Sequence, residues 1–189
     1  RLSQARAAAA SRLGEEVSRV MQQLALSGGC FEIALVPLEN GTVHGLEQVE
    51  FRIAGLAGQV ARPLAKVASG GELSRISLAI QVVTSQAARV PTLIFDEVDV
   101  GISGPTAAIV GELLRELGRS TQVLVVTHLP QVAGQGHQHL FVSKQSDGKS
   151  TETLMQSLDT QGRLDELARL LGGNQITANT RANARELLM

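Results

Sequence analysis

Two short apolar runs, each ending in polar side chains, constrain the fold of this chain more than any other feature. The run from Thr92 to Phe95 is followed directly by Asp96 and Glu97, and the run from Val123 to Val126 leads to His128. Apolar runs of this length are typical of strands buried in a parallel sheet. The chain leaves the sheet where such a strand ends, so both carboxylates can reach one crevice outside its edge.

Helical patterns separate and follow these two runs. Ser103 with Pro105 signals a helix start, and apolar side chains from Ile109 to Leu117 form its buried stripe. The alternation of strands and helices predicts an α/β fold with a mostly parallel sheet flanked by helices. The later predicted elements are a short helix around Gln131, strands at Leu140–Val142 and Thr153–Leu158, and helices at Leu164–Leu171 and Thr177–Leu188.

The first part of the chain predicts a long helix and a small antiparallel portion. Apolar residues recur at helical spacing from Arg1 to about Leu26. This helix either continues a longer coiled-coil helix or packs as an ordinary N-terminal helix. The segments Phe31–Leu35 and Val49–Ile53 alternate apolar and polar residues, which predicts two antiparallel strands with one exposed face.

A second group of candidate residues is Ser69, Gly70, Gly71 and Glu72, which precede a helical face that reaches Val83. The glycines let the backbone approach a phosphate closely, the serine offers a hydroxyl, and the helix presents its positive end. The alternative explanation is that the motif only caps the N-terminus of the helix, because Ser69 and Glu72 stand in capping-box register.

The polar residues at the two strand ends suit metal-assisted phosphate chemistry. Asp96 can hold Mg²⁺, Glu97 can act on the attacking water, and His128 can place an imidazole beside the same phosphate. The plainer explanations are a solvated strand end and a structural histidine. A competing hypothesis is a zinc site built from His128, His137 and His139, although no cysteine is close to them in sequence.

No phosphate loop of the form G-x-x-x-x-G-K-S/T occurs in the 189 residues. Gly148, Lys149 and Ser150 imitate the end of such a loop, but Ser143 stands where its first glycine is required. The residues after Ser150 alternate as a strand, and Asp147 with Gly148 is better explained as a hairpin turn. The chain therefore carries at most half of a nucleotide site.

Composition excludes several classes of protein. The net charge of -1 gives no bulk electrostatic argument for nucleic-acid binding. Cys30 is the single cysteine, which excludes an internal disulfide and fits a reducing compartment. No apolar run reaches membrane-spanning length and no signal peptide is recognisable, so we expect a cytoplasmic protein without membrane contact. The start at Arg1 rather than Met suggests a piece of a longer polypeptide.

Long stretches of the chain resemble the C-terminal part of the RecN family, bacterial SMC-like proteins of DNA double-strand break repair. The resemblance covers nearly all of the chain after the first helix, whereas S-G-G-E alone would indicate only the ABC superfamily. The stretches are P-L-A-K-V-A-S-G-G-E-L-S-R-I-S-L-A-I from Pro63, L-I-F-D-E-V-D-V-G-I-S-G-P-T-A from Leu93, V-T-H-L-P-Q-V-A-G from Val126, H-Q-H-L-F-V-S-K from His137 and L-A-R-L-L-G-G from Leu167.

The resemblance implies the C-terminal lobe of an ABC/SMC-type P-loop ATPase head from a DNA repair and recombination protein. Residues 1–27 would be the end of a returning coiled-coil helix, and residues 28–189 the lobe. The implied roles are a signature element that contacts the nucleotide of a second head (Ser69, Gly70, Gly71, Glu72), a magnesium ligand (Asp96), a water-activating base (Glu97), a dimer-interface loop (Asp99 to Ser103) and a γ-phosphate sensor (His128).

The same resemblance implies the cofactors and partners. They are ATP and Mg²⁺, an N-terminal lobe of the same polypeptide with the phosphate loop (Walker A), a second head in an ATP-dependent homodimer, and DNA through the complete, nucleoid-associated protein. A transporter ATPase is disfavoured because it would carry its phosphate loop in the same compact domain. A non-catalytic head dimerisation module is the alternative, against which Glu97 beside Asp96 argues.

Overall fold

The computed structural model describes residues 1–56, 58–66, 69–84, 90–146, 150–173 and 175–188. The chain forms two compact units, Arg1–Ile102 with Leu117–Val126, and Ser103–Glu116 with Thr127–Met189. Within the described ranges, no helix is both long enough and apolar enough to cross a membrane.

The elements in chain order are α1 (Leu2–Gln23), β1 (Cys30–Thr42), β2 (Gly45–Ala54), β3 (Arg62–Pro63), a 3₁₀ turn (Leu64–Lys66), α2 (Gly70–Thr84), β4 (Thr92–Phe95), α3 (Gly104–Leu117), β5 (Gln122–Val125), α4 (Pro130–Gln135), β6 (Leu140–Ser146), β7 (Thr151–Ser157), α5 (Thr160–Gly172) and α6 (Ala178–Glu186).

In the first unit, α1 packs closely on the start of β1. The Ser18 hydroxyl donates to the Gly14 carbonyl at 2.7 Å and accepts the Phe31 N–H at 2.9 Å. A methyl group added to Gly14 would lie 3.2 Å from the Phe31 carbonyl oxygen, so glycine lets helix and strand approach. Val17 and Met21 continue the buried stripe of the helix. The predicted amphipathic helix is present and ends within three residues of the expected position.

The predicted antiparallel portion is confirmed and is larger than expected. Strands β1 and β2 pair from Cys30 with Ala54 to Pro37 with Glu47, and the register shifts between Pro37 and Thr42. The short strand β3 adds to β2 and was not predicted, because two residues carry no periodic signal.

Strands β4 and β5 form the predicted parallel pair in the first unit. Thr92 lies opposite Gln122 and Phe95 opposite Val125. Among the described strands, parallel pairing is confined to this pair, and the β1–β2–β3 and β6–β7 sheets are antiparallel. Each parallel neighbour needs a crossover connection, whereas β1–β2 and β6–β7 are hairpins.

One side of the parallel pair is exposed, contrary to the predicted burial on both faces. Phe95 is buried, but Ile94 is 71% exposed and Leu124 is 44% exposed. Nothing in the described part of the first unit covers these two side chains.

The second unit combines the β6–β7 hairpin with a small helical core. Strands β6 and β7 pair from Leu140 with Ser157 to Ser146 with Thr151. The turn predicted at Asp147–Gly148 and the neighbouring Lys149 lie outside the described residues. The core is formed by apolar side chains of α5 and α6: Leu164, Leu167, Ala168 and Ala184, with Ala133, Leu170, Leu187 and Leu188 packed against them.

Helix α5 begins earlier than the apolar pattern indicated. The Asp159 carboxylate accepts the Gly162 N–H at 2.7 Å and caps the helix, which then starts at Thr160 rather than Leu164. Gly172 belongs to the last turn of α5, and Gly173 with a φ of +59° ends it. The first turn of this helix is polar, so the apolar stripe that predicted it could not show its start.

The core of the second unit gives a stability prediction. Leu167 is fully buried, so Leu167→Ala should lower the free energy of unfolding by about 2–5 kcal/mol, because a cavity replaces packed methyl groups. Urea denaturation followed by circular dichroism measures the change. Leu171→Ala, one turn further and 37% exposed, is the control and should cost clearly less. Equal losses in the two variants would contradict the placement of this core.

Candidate functional site

The S-G-G-E element lies at the start of α2, in the first unit. The Ser69 carbonyl accepts the Leu73 N–H at 3.0 Å, and the Ser69 hydroxyl accepts the Glu72 N–H over a long 3.4 Å. Ser69 and Gly70 are exposed, and Gly71 is buried. Ser69 therefore occupies the N-cap position of α2, as expected if the S-G-G-E element caps the helix. The residue itself is exposed.

The turn that follows β4 carries both predicted carboxylates. Asp96 and Glu97 are exposed, and the Glu97 N–H donates to Asp96 Oδ1 at 3.0 Å. The Asp96 carbonyl accepts the Ser74 hydroxyl of α2 at 2.8 Å, and the Val100 N–H donates to the Glu97 carbonyl at 3.2 Å. The turn therefore forms hydrogen bonds between its own residues and to α2, the helix that begins at the S-G-G-E element.

Glu97 has a left-handed backbone, with a φ of +58°. A residue with a Cβ pays roughly 1–2 kcal/mol to adopt this conformation, since Cβ comes too close to the following carbonyl oxygen. Such strain persists only where the surrounding contacts determine it, and it clusters at functional sites. Sequence reasoning selected Glu97 for its carboxylate and had no means of predicting its backbone.

Both glycines at the start of α2 lie against this turn. A methyl group on Gly71 would lie 3.0 Å from the Val100 carbonyl oxygen, so the backbone contact requires glycine there, whereas one on Gly70 would meet only the movable Glu97 carboxylate. The Glu97 carboxylate thus lies at the N-terminal end of α2, where the helix dipole favours a negative charge. The structure therefore brings the S-G-G-E element into direct contact with the turn from Asp96 to Val100.

The remaining predicted residues are divided between the two units. Asp99 is 2% exposed in the first unit, where its carbonyl accepts the Ile102 N–H at 3.4 Å. Ser103 opens the second unit just before α3. His128 is exposed in the second unit, in the segment between β5 and α4. Ser69 to Glu72, Asp96, Glu97 and Asp99 are therefore placed in one unit, and Ser103 and His128 in the other.

Arg75 is a buried residue beside this turn that sequence reasoning missed. It is only 6% exposed, and its Nη1 donates to the Val100 carbonyl at 2.6 Å. Burial lowers the pKa of the guanidinium from its ordinary value, and the Glu72 carboxylate acts in the opposite direction. The available signal was helical spacing, because Arg75 follows Gly71 by four residues and shares its side of α2.

The competing zinc site finds no support in the described part of the chain. There, no group of three or more His, Cys, Asp or Glu side chains is placed to hold a metal ion. His139 is half-buried just before β6, and burial lowers the pKa of its imidazole, with Glu166 opposing and Arg163 adding to the shift.

Known proteins similar in sequence match the chain over its whole length. It is 54% identical over 193 residues to the DNA repair protein RecN of Vibrio cholerae, a match that covers 100% of this chain and 34% of that protein. It is 50% identical over 188 residues to the DNA repair protein RecN of Haemophilus influenzae, covering 99% of this chain and 34% of that protein. The chain belongs to the RecN family. It spans about a third of the length of the RecN relatives it matches, and no family model matches it.

Solved structures show the fold of this chain. The Smc head domain with a coiled coil and joint from Pyrococcus yayanosii superimposes with a TM-score of 0.60 at 22% identity, covering 82% of this chain and 28% of that one. A chain from a study of ATP-driven dimerization and DNA stimulated activation of SMC ATPases gives a TM-score of 0.51 at 21% identity, covering 86% and 93%. The chain has the α/β fold of the C-terminal lobe of an SMC-type ATPase head, as predicted.

Proposed function

We propose that this chain is the C-terminal half of the ATPase head of a RecN-like DNA repair and recombination protein. In that head it supplies the signature element, the Walker B carboxylates and the histidine switch for ATP-driven head dimerisation and hydrolysis. The observation that carries the proposal is Glu97: a carboxylate held in a strained backbone, beside Asp96, against the glycines of the signature element. A turn that only connected β4 to α3 would have no use for that arrangement.

The two carboxylates have different roles in ATP hydrolysis. Asp96 would hold Mg²⁺, because an exposed carboxylate oxygen is the donor that this hard cation prefers, and the ion would supply positive charge against the phosphates of ATP. Glu97 takes the proton of the attacking water, because an ionised carboxylate beside the phosphate can act as a general base. The hydrogen bond from the Ser74 hydroxyl to the Asp96 carbonyl fixes the turn that presents both groups.

The signature element acts across the dimer. Ser69, Gly70, Gly71 and Glu72 form the element that contacts the nucleotide held by a second head, where the exposed Ser69 and Gly70 at the start of a 15-residue helix suit a phosphate. In the same proposal the loop from Asp99 to Ser103 lies at the dimer interface, and His128 senses the γ-phosphate.

The N-terminal Walker A lobe of the same polypeptide completes each head. Two facts support this partner: the 189 residues hold no phosphate loop, and Ile94, Leu124 and Val126 leave an apolar side of the parallel pair exposed. Residues 1–27 are then the end of the returning coiled-coil helix, and residues 28–189 the lobe. The complete protein acts on DNA in the cytoplasm, associated with the nucleoid.

A non-catalytic head dimerisation module is the second candidate. The exposed signature element would serve it equally well, since engagement alone needs no general base. Glu97 separates the two functions, because a module that only engages a partner gains nothing from a strained carboxylate.

The proposed function predicts a difference between the chain and the complete protein. Purified alone, the 189 residues should hydrolyse ATP negligibly, because no phosphate loop positions the phosphates for Asp96 and Glu97. A polypeptide that also carries the phosphate-loop lobe should turn over ATP in a phosphate-release assay. Its Glu97→Gln variant is the control for contaminating ATPases. Robust turnover by the chain alone, or none by the complete protein, would refute the proposal.

A further inference from the structure

We propose that Arg75 is a positioning residue for ATP hydrolysis: it holds the far end of the Asp96–Val100 turn on α2, so that Glu97 and the signature glycines keep one fixed geometry. This inference rests on the proposed function and adds a residue to which no role has been assigned above. Arg75 lies behind the signature element and works through the backbone of the turn.

Burial of Arg75 is the first observation. A guanidinium that is 6% exposed has lost most of its water, and burying a charge is costly unless hydrogen bonds compensate. Its Nε has no hydrogen-bond partner among the described residues, while its Nη1 makes a short bond to the Val100 carbonyl. A residue needed only for packing at this point of α2 would be apolar, as the buried neighbours Ile76 and Leu78 are.

The second observation is that two successive residues of α2 hold the two ends of the turn. The Ser74 hydroxyl donates to the carbonyl of Asp96 at 2.8 Å, and Arg75 Nη1 donates to the carbonyl of Val100 at 2.6 Å. Glu97 lies between these two anchors in its left-handed conformation. Since strained backbone persists only where contacts determine it, the pair of anchors accounts for the conformation of Glu97.

Gly71 joins this arrangement to the signature element. A methyl group there would lie 3.0 Å from the Val100 carbonyl oxygen and 3.3 Å from Arg75 Nη1, so the absence of a side chain makes room for the bond between them. Gly71 is buried, and it belongs to the S-G-G-E element that is proposed to contact the nucleotide of the second head. Arg75 therefore ties the element that contacts one nucleotide to the turn that acts on the other.

The test uses the complete protein with Arg75→Met, Arg75→Lys and, as control, Arg62→Met at an exposed position of the same unit. Arg75→Met keeps the side-chain length and removes the donor, so kcat should fall on the order of 10-fold to 10²-fold, the scale of a misplaced catalytic group, with KM for ATP nearly unchanged. Arg75→Lys keeps a cationic donor and should recover most of kcat. Arg62→Met should match the wild type. Melting temperatures show whether each variant is folded.

A wild-type kcat in Arg75→Met would overturn the inference. Equal losses of kcat in Arg75→Met and Arg75→Lys, together with lowered melting temperatures, would also overturn it, because they indicate a packing role alone.

Hydrogen exchange on the 189-residue chain keeps the test independent of the proposed function. Arg75→Met should speed exchange of the Val100 amide, which is bonded to the Glu97 carbonyl, and leave the Val126 amide, bonded to Phe95, unchanged. If the complete wild-type protein has no ATPase activity, the proposed function fails. The exchange result then decides whether Arg75 holds the turn.

Discussion

Replacing Glu97 by Gln in the complete protein is expected to slow ATP hydrolysis by roughly 10²-fold or more, the scale of a lost general base. Glutamine keeps the size and hydrogen-bonding reach of the side chain but cannot take a proton from water. ATP binding and head association should persist, so long-lived ATP-bound dimers should accumulate. Single-turnover kinetics measure the hydrolysis step, and size-exclusion chromatography with ATP measures the dimer.

Asp96→Asn is the matched variant for this experiment, because it changes the neighbouring carboxylate in the same way. It should weaken magnesium-dependent ATP binding itself, since the amide lacks the charge that holds the cation. The opposite pattern, in which Glu97→Gln loses affinity and Asp96→Asn retains it, would reverse the two roles. Unchanged turnover in both variants would end the catalytic interpretation of this turn.

Ser69→Arg should abolish ATP-driven head association and hydrolysis while leaving ATP binding to a single head almost intact. Ser69 is exposed at the start of α2, and a bulky cationic side chain there would obstruct the proposed interface between heads. Loss of the cap on Glu72 accounts for only about 0.5–2 kcal/mol of stability, so the head should remain folded. Nucleotide binding by fluorescence and dimerisation by light scattering separate the two effects.

Two controls decide what a defect at Ser69 means. Ser77→Arg places the same charge at an exposed position further along α2 and should associate normally. Ser69→Ala removes the cap without adding bulk. If Ser69→Arg dimerises and hydrolyses like the wild type, the element is only a helix start.

The sequence identified the elements whose signals are local. The run at Thr92–Phe95 predicted β4 to the residue, and the alternation around Phe31 and Phe51 predicted the β1–β2 hairpin. Ser69 was expected at a helix start and lies at one. In each case neighbouring residues determine the outcome through side-chain periodicity or capping.

What the sequence could not show depends on contacts between distant segments. The bond between Arg75 and the Val100 carbonyl joins residues 25 positions apart. Helical spacing places Arg75 on the same side of α2 as Gly71 but does not show that Val100 lies opposite. The exposed side of Ile94 is another case, because an apolar run looks the same whether one or both faces of its strand are covered. The short strand β3 was missed because its two residues carry no periodic signal and it exists only through pairing with β2.

The left-handed backbone of Glu97 sets two selective pressures against each other. Glycine adopts this conformation without steric cost, so selection for folding alone would favour glycine at position 97. A glutamate there keeps the chain below its attainable stability. If the turn after β4 catalyses the proposed hydrolysis, the chain therefore gives up stability at position 97 in order to keep a carboxylate there.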